Sequence, residues 1–117
     1  KVDKPIGRHP KNRTRMAVVE YGKSALTEWE TIRTYQESFS FLRVKIHTGR
    51  THQIRVHLSF LGHPLAGDST YGAKKHPNFN RVMLHAHCLK LTHPVSAEEL
   101  TFRAELPLDF NTCLQSL

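Results

Sequence analysis

The sequence predicts an α+β domain, mainly antiparallel sheet, with one central helix over about residues 51–62 and a short helix near the C-terminus. Three observations predict it. Runs rich in β-branched and aromatic residues are separated by turn signals, one run carries a helical period with a stop after it, and no regular strand–helix alternation suggests a parallel sheet. With 117 residues the chain fits one domain or part of a larger one. A mean hydropathy of −0.46 and the lack of any long apolar run argue against a membrane span, and Lys1 to Pro10 has no apolar core of a signal peptide. A cytoplasmic location is the expectation.

From the N-terminus, residues 1–15 read as an extended basic arm. Lys1, Lys4, Arg8, Lys11, Arg13 and Arg15 supply the charge, and Pro5, Gly7 and Pro10 deny a helix. Thr14 to Glu20 is β-prone and leads into Tyr21-Gly22-Lys23-Ser24, a turn suited to closing a hairpin with the strand that follows. In Ala25 to Tyr35 the residues Leu26, Trp29, Ile32 and Tyr35 are spaced by threes. The composition nevertheless favours a strand, paired antiparallel with the run from Phe39 to Ile46.

Thr51 then opens a helical run as its expected N-cap. Ile54, His57, Leu58 and Leu61 form one face with Val56 and Phe60 beside it, while His52, Arg55 and Ser59 form the remaining sector. Gly62 and Pro64 supply the stop. Residues 65–80 are loop-like. Met83 to Leu91 and Glu99 to Leu106 resume strand composition around His93-Pro94, and a short helix closes the chain. Cys88 and Cys113 belong to no Cys-x-x-Cys pair and read as reduced, structural residues.

A net charge of +7 and an isoelectric point near 9.8 favour a polyanionic partner, and the clustering of that charge favours nucleic acid over mere solubility. The densest polar cluster is His47-Thr48-Gly49-Arg50-Thr51-His52-Gln53-Ile54-Arg55-Val56-His57, at a strand-to-helix junction. Free N–H groups at a helix start favour an anion, Gly49 admits a close approach, and Arg50 can grip a phosphate with two hydrogen bonds. Arg55 projects from the helix beside His52. Taken alone it would be a solvated surface arginine. Nine histidines raise the question of a metal, but His52 and His57 are five apart and diverge on a helix, so no metal is expected.

Residues 49–57 resemble the signature run of the large-subunit ribosomal pseudouridine synthase family. So do Gly62-His63-Pro64-Leu65, Gly67-Asp68 to Tyr71-Gly72 and Leu84-His85-Ala86, while Val2-Asp3-Lys4-Pro5-Ile6 with Arg8-His9-Pro10 and Arg13 to Val18 resembles the D-type members in particular. The likeness extends from Val2 to about Phe110. It implies isomerisation of uridine to pseudouridine in 23S rRNA. An aspartate attacks the nucleoside, the base detaches from its ribose, rotates and re-bonds through carbon, with no external cofactor. It also implies that Arg55 is the catalytic-site arginine paired with that aspartate, that Leu84 packs near the target base, and that Arg50, Thr51, His52 and Gln53 lie at the RNA-binding surface.

The family's Arg-Leu-Asp run is absent, and Asp3, Asp68 and Asp109 stand in other contexts; the motif bearing the pocket tyrosine is absent too. Residues 16–117 therefore read as the C-terminal portion of the catalytic domain, inactive alone and prone to self-association through exposed sheet edges. The competing class is a non-catalytic RNA-binding module, for which charge and sheet would suffice. An Arg-Leu-Asp run upstream of Lys1 would separate the two.

Overall fold

The structure is a computed structural model that describes residues 1–35, 38–92, 95–96 and 98–116. Five strands come first: β1 (Val2–Asp3), β2 (Ile6–Arg8), β3 (Met16–Val18), β4 (Leu26–Tyr35) and β5 (Phe39–Ile46). They are followed by α1 (Gln53–Phe60), a 3-10 turn (Ser69–Tyr71), β6 (Cys88–Thr92), β7 (Glu99–Arg103) and α2 (Leu108–Gln115). Among the described residues every ladder is antiparallel, with orders β1-β4-β5, β2-β3 and β6-β7. The expected α+β class and both helices are present.

The long β4–β5 hairpin carries the main ladder. Trp29 faces Val44 and Tyr35 faces Phe39, and the register shifts between Thr31 and Arg33. A period of three in β4 thus does not make a helix, because β-branched and aromatic side chains pack on a pleated surface with a ready partner strand.

The N-terminal stretch is extended at β1 and β2 and is sewn into the fold. Lys4 N donates to Ala25 O, Ile6 and Lys23 exchange two backbone hydrogen bonds, and Ile6, Gly7 and Arg8 pair with Val18, Ala17 and Met16. Val2 and Ile6 are buried, Ile6 in a cluster with Ala25, Val56 and Tyr71. This seam corrects one expectation. The turn at Tyr21 to Ser24 closes no β3–β4 hairpin, because β3 pairs with β2, while β4 pairs with β1 and β5.

At the start of α1 the expected Thr51 N-cap is also corrected. The cap position belongs to His52, whose backbone is left-handed (φ 53°, ψ 26°), and no side chain caps the helix. Thr51 is exposed, and the tight turn into the helix is satisfied by Gln53 instead, whose Oε1 accepts from Arg50 N. The other end is as the sequence implies. Gly62 is left-handed (φ +88°), His63 N donates to Leu58 O and Gly62 N to Ser59 O, the pattern of a Schellman stop. Val56, His57 and Leu58 are buried, whereas Phe60 and Leu61 remain exposed among the described residues.

Strand composition over Met83 to Leu91 overstates β6, and that over Glu99 to Leu106 overstates β7. Residues 83–87 are irregular: Met83 N donates to Ala66 O, and His85 and His87 both turn a ring nitrogen onto Ala104 O. With β7 ending at Arg103 the segment has no ladder to join. The expected turn at His93-Pro94 lies outside the described residues. Asp109, in the first turn of α2, holds Arg81 through two hydrogen bonds of 2.6 and 3.1 Å. No helix among the described residues is long and apolar enough to cross a membrane.

Candidate active site

The junction between β5 and α1 is built around Gln53. Its Oε1 accepts from Thr48 Oγ1 (2.7 Å) and Arg50 N (3.1 Å), and its Nε2 donates to Leu26 O (2.9 Å) and Thr27 Oγ1 (3.0 Å). The amide orientation is forced, since a backbone N–H only donates and a carbonyl only accepts. Only 3% exposed, Gln53 has no group left for RNA, which sets it apart from the surface role expected of it.

His57 continues the same network. Its Nε2 faces Lys4 O at 2.9 Å and so carries the hydrogen, and Nδ1 meets Thr27 Oγ1 at 2.7 Å. This fully buried histidine thereby fastens the N-terminal strands to the helix. His52 and His57 have separate partners, and among the described residues no group of three or more His, Cys, Asp or Glu is placed to hold a metal ion.

Arg55 lies on the other sector of α1, toward the loop of residues 65–73. Its Nε donates to Asp68 Oδ2 and its Nη2 to Oδ1, each at 2.9 Å, and its Cζ lies 5.0 Å from the centroid of the Tyr71 ring. Asp68 is fully buried, while the Arg55 side chain keeps 20% of its surface. The ion pair holds the guanidinium protonated still more firmly than usual, against the opposing pull of desolvation. Arg15 brings a second guanidinium, 5.3 Å from the same ring.

Tyr71 organises the rest. Its hydroxyl accepts from Met16 N (3.0 Å) and meets His52 Nδ1 at 2.7 Å, and its carbonyl accepts from Ser59 Oγ (2.6 Å). Desolvation, then the charge of Arg55, push His52 below the usual histidine range, with Asp68 opposing. In the neutral imidazole that this favours, Nδ1 takes the tyrosine hydrogen.

Two guanidiniums and one carboxylate leave this cluster one anion short. Arg15 Nε is buried with no hydrogen-bond partner, and Arg55 Nη1 has none among the described residues. Asp68 cannot be an attacking carboxylate, because it is wholly buried and both its oxygens are taken.

Of the remaining expected residues, His52 is bonded to this cluster through the Tyr71 hydroxyl. Thr51 and His52 are exposed, and Arg50 is half-buried with Nε donating to Ser24 O at 2.8 Å. Leu84 is 40% exposed, next to Met83, which is bonded to the loop bearing Asp68. A Cβ on Gly49 would meet nothing within 4 Å, so the fold itself does not require glycine there. Sequence reasoning missed Asp68 and Tyr71 as partners of Arg55, and Arg15 as a second guanidinium over the Tyr71 ring. The sequence holds no local signal for these partners, because they meet only once the loop of residues 65–73 folds back onto α1.

The profile of the RNA pseudouridylate synthase family matches residues 1–60. "Ribosomal large subunit pseudouridine synthase D" of Pasteurella multocida is 40% identical over 99% of this chain and 40% of its own length. The protein of that name from Nitrosomonas europaea is 47% identical over 99% of this chain and 36% of its own. Among solved structures, human RNA pseudouridylate synthase domain containing 1 superposes with a TM-score of 0.77 at 31% identity, over 95% of this chain and 50% of that one. The chain thus spans less than half the length of these bacterial relatives. With more than half of its residues matched by the profile, and Arg55 within the matched part, the chain belongs to the RNA pseudouridylate synthase family.

Proposed function

We propose that this chain supplies the arginine-bearing half of the active site of a cytoplasmic isomerase that converts uridine to pseudouridine in large-subunit (23S) rRNA. The observation that supports this best is the anion-deficient cluster around Arg55. Its Nη1 edge, unbonded among the described residues, can hold an incoming aspartate ionised and oriented, since an opposite charge within about 4–6 Å lowers a carboxyl pKa by roughly 1–3 units. The aspartate attacks the nucleoside, the glycosidic C–N bond breaks, and the rotated base re-bonds through carbon. No cofactor enters these steps. Leu84 offers an apolar surface to the flipped base, whose unstacking costs a few kcal/mol. Arg50, Thr51 and His52 face the RNA backbone, and Gln53 shapes the turn beneath them. The rRNA specificity rests on the bacterial relatives, whose names specify the large ribosomal subunit.

The test is single-turnover conversion of uridine-labelled RNA by the full-length protein at saturating enzyme. Arg55→Ala should collapse turnover of bound RNA to a slow residual rate while affinity changes little, because phosphate contacts elsewhere dominate binding. Arg55→Lys should rescue only in part, since lysine lacks the planar fork. Conversion at the wild-type rate by Arg55→Ala would make Arg55 an RNA-binding residue only, whereas no conversion by the unaltered full-length protein would favour a non-catalytic module. The 117-residue chain alone, without an Arg-Leu-Asp run, is expected to release no tritium from such RNA.

A further inference from the structure

Arginine on a helix surface has a long, freely rotating side chain, and freezing it costs about 2 kcal/mol of rotamer entropy. Arg55 is held in two independent directions. In its plane, Nε and Nη2 lie on the two oxygens of Asp68, and across its face the Tyr71 ring lies 5.0 Å away.

Both holding groups are themselves fixed. Asp68 N donates to Leu65 O, Asp68 O accepts from Tyr71 N and Ala73 N, and the residue before it, Gly67, sits at φ +82° against the backbone of Arg81. Ser59 Oγ, one helical turn after Arg55, donates to Tyr71 O and fastens this loop back to α1. The Tyr71 hydroxyl is pinned between Met16 N and His52 Nδ1. A carboxylate this buried, with both oxygens spent on one guanidinium, has no surface left for RNA.

We propose that Asp68 is a positioning residue for catalysis: it fixes the rotation of the Arg55 guanidinium so that the Nη1 edge is presented to the attacking carboxylate. This rests on the reading of Arg55 given above. The bidentate pair leaves one orientation of the planar group, and the orientation exists before RNA binds. Asp68 also offsets one positive charge, so the cluster attracts a single further anion instead of two.

The full-length protein carrying Arg55→Ala, Asp68→Asn, Asp68→Glu or the double change Arg55→Ala/Asp68→Asn separates the possibilities. Single-turnover conversion at saturating enzyme and RNA affinity by fluorescence anisotropy are measured on variants whose circular dichroism matches wild type. Asp68→Asn removes the charge and one of the two acceptors. It should slow conversion by about 10–100-fold, the loss expected from a misplacement of about 1 Å, with affinity within about twofold. In the Arg55→Ala background the same change should add less than about twofold, because a residue that acts through another loses its effect once that partner is gone.

If Asp68→Asn does not fold, Asp68→Glu decides, since it keeps the counter-charge but shifts the guanidinium by one methylene; the same slowing is expected. Wild-type conversion by Arg55→Ala overturns the reading of Arg55 and this inference with it. Slow conversion by Arg55→Ala beside wild-type conversion by a folded Asp68 variant overturns positioning alone. So does an undiminished Asp68→Asn effect in the Arg55→Ala background.

Discussion

Gln53 offers the sharpest separation of scaffold from RNA contact, because the sequence places it in the binding run while the structure buries it. Gln53→Ala removes four hydrogen bonds, to Thr48, Arg50, Leu26 and Thr27. Three of those partners keep a second bond. Leu26 O still accepts from His47 N, Thr48 Oγ1 from Leu26 N, and Thr27 Oγ1 still meets His57. At roughly 0.5–1.5 kcal/mol per net bond, with a small cavity added, the cost is about 2–4 kcal/mol. Urea denaturation should show it as a midpoint lowered by about 1–3 M, given a slope of about 1–3 kcal/mol per molar.

Gln53→Glu adds a pH signature. The carboxyl must keep a hydrogen to donate to Leu26 O, so its folded pKa is raised above its unfolded value. The native state then binds more protons, and the variant loses stability as pH rises through and above the usual carboxyl range. RNA affinity per folded molecule should be unchanged in both variants. Full stability of Gln53→Ala combined with weakened RNA binding would refute this assignment.

Gly67→Ala should be among the most damaging small changes, because a Cβ would lie 1.8 Å from Arg81 O at a φ of +82°; a loss of more than about 2 kcal/mol by urea denaturation is expected. Neutralising Lys4, Arg8 and Lys11, all exposed, should weaken RNA binding and flatten its salt dependence by up to about 0.9 log unit per lost phosphate contact, less on single strands, with turnover of bound RNA preserved. His52 should titrate below free histidine in a pH series of NMR spectra, and Arg55→Ala should raise it by removing the nearby cation. Since its folded pKa is depressed, its contribution to stability is present above the unfolded pKa, about 6.5, and is lost as pH falls below that value toward the folded pKa.

Elements whose partners are close in sequence were legible. The β4–β5 pairing could be read from two adjacent β-rich runs, and the end of α1 from Gly62, because each depends on local chemistry. Elements decided by distant partners were not. Residues 83–87 look like a strand, yet their backbone is claimed by Ala66 and Ala104, and the Tyr21 turn cannot close a hairpin once β1 and β2 hold β4 and β3. In the site, Arg55 was legible through a family resemblance and Asp68 was not, since a pair 13 residues apart depends on how the loop folds back onto the helix.

The one left-handed non-glycine residue among the described positions is His52, at the helix start beside Arg55. Such a backbone costs about 1–3 kcal/mol and persists only where its surroundings hold it. Here the holders are identifiable. The carbonyl of His52 accepts from Val56 N at 2.8 Å, its ring is bonded to Tyr71, and the next residue is Gln53 with its four hydrogen bonds. A conventional cap by Thr51 would have satisfied the local rule and left the imidazole without this contact to Tyr71. The strained turn instead points the imidazole at the ring that carries both guanidiniums, so the local cost is borne beside a cluster of two cations and one carboxylate.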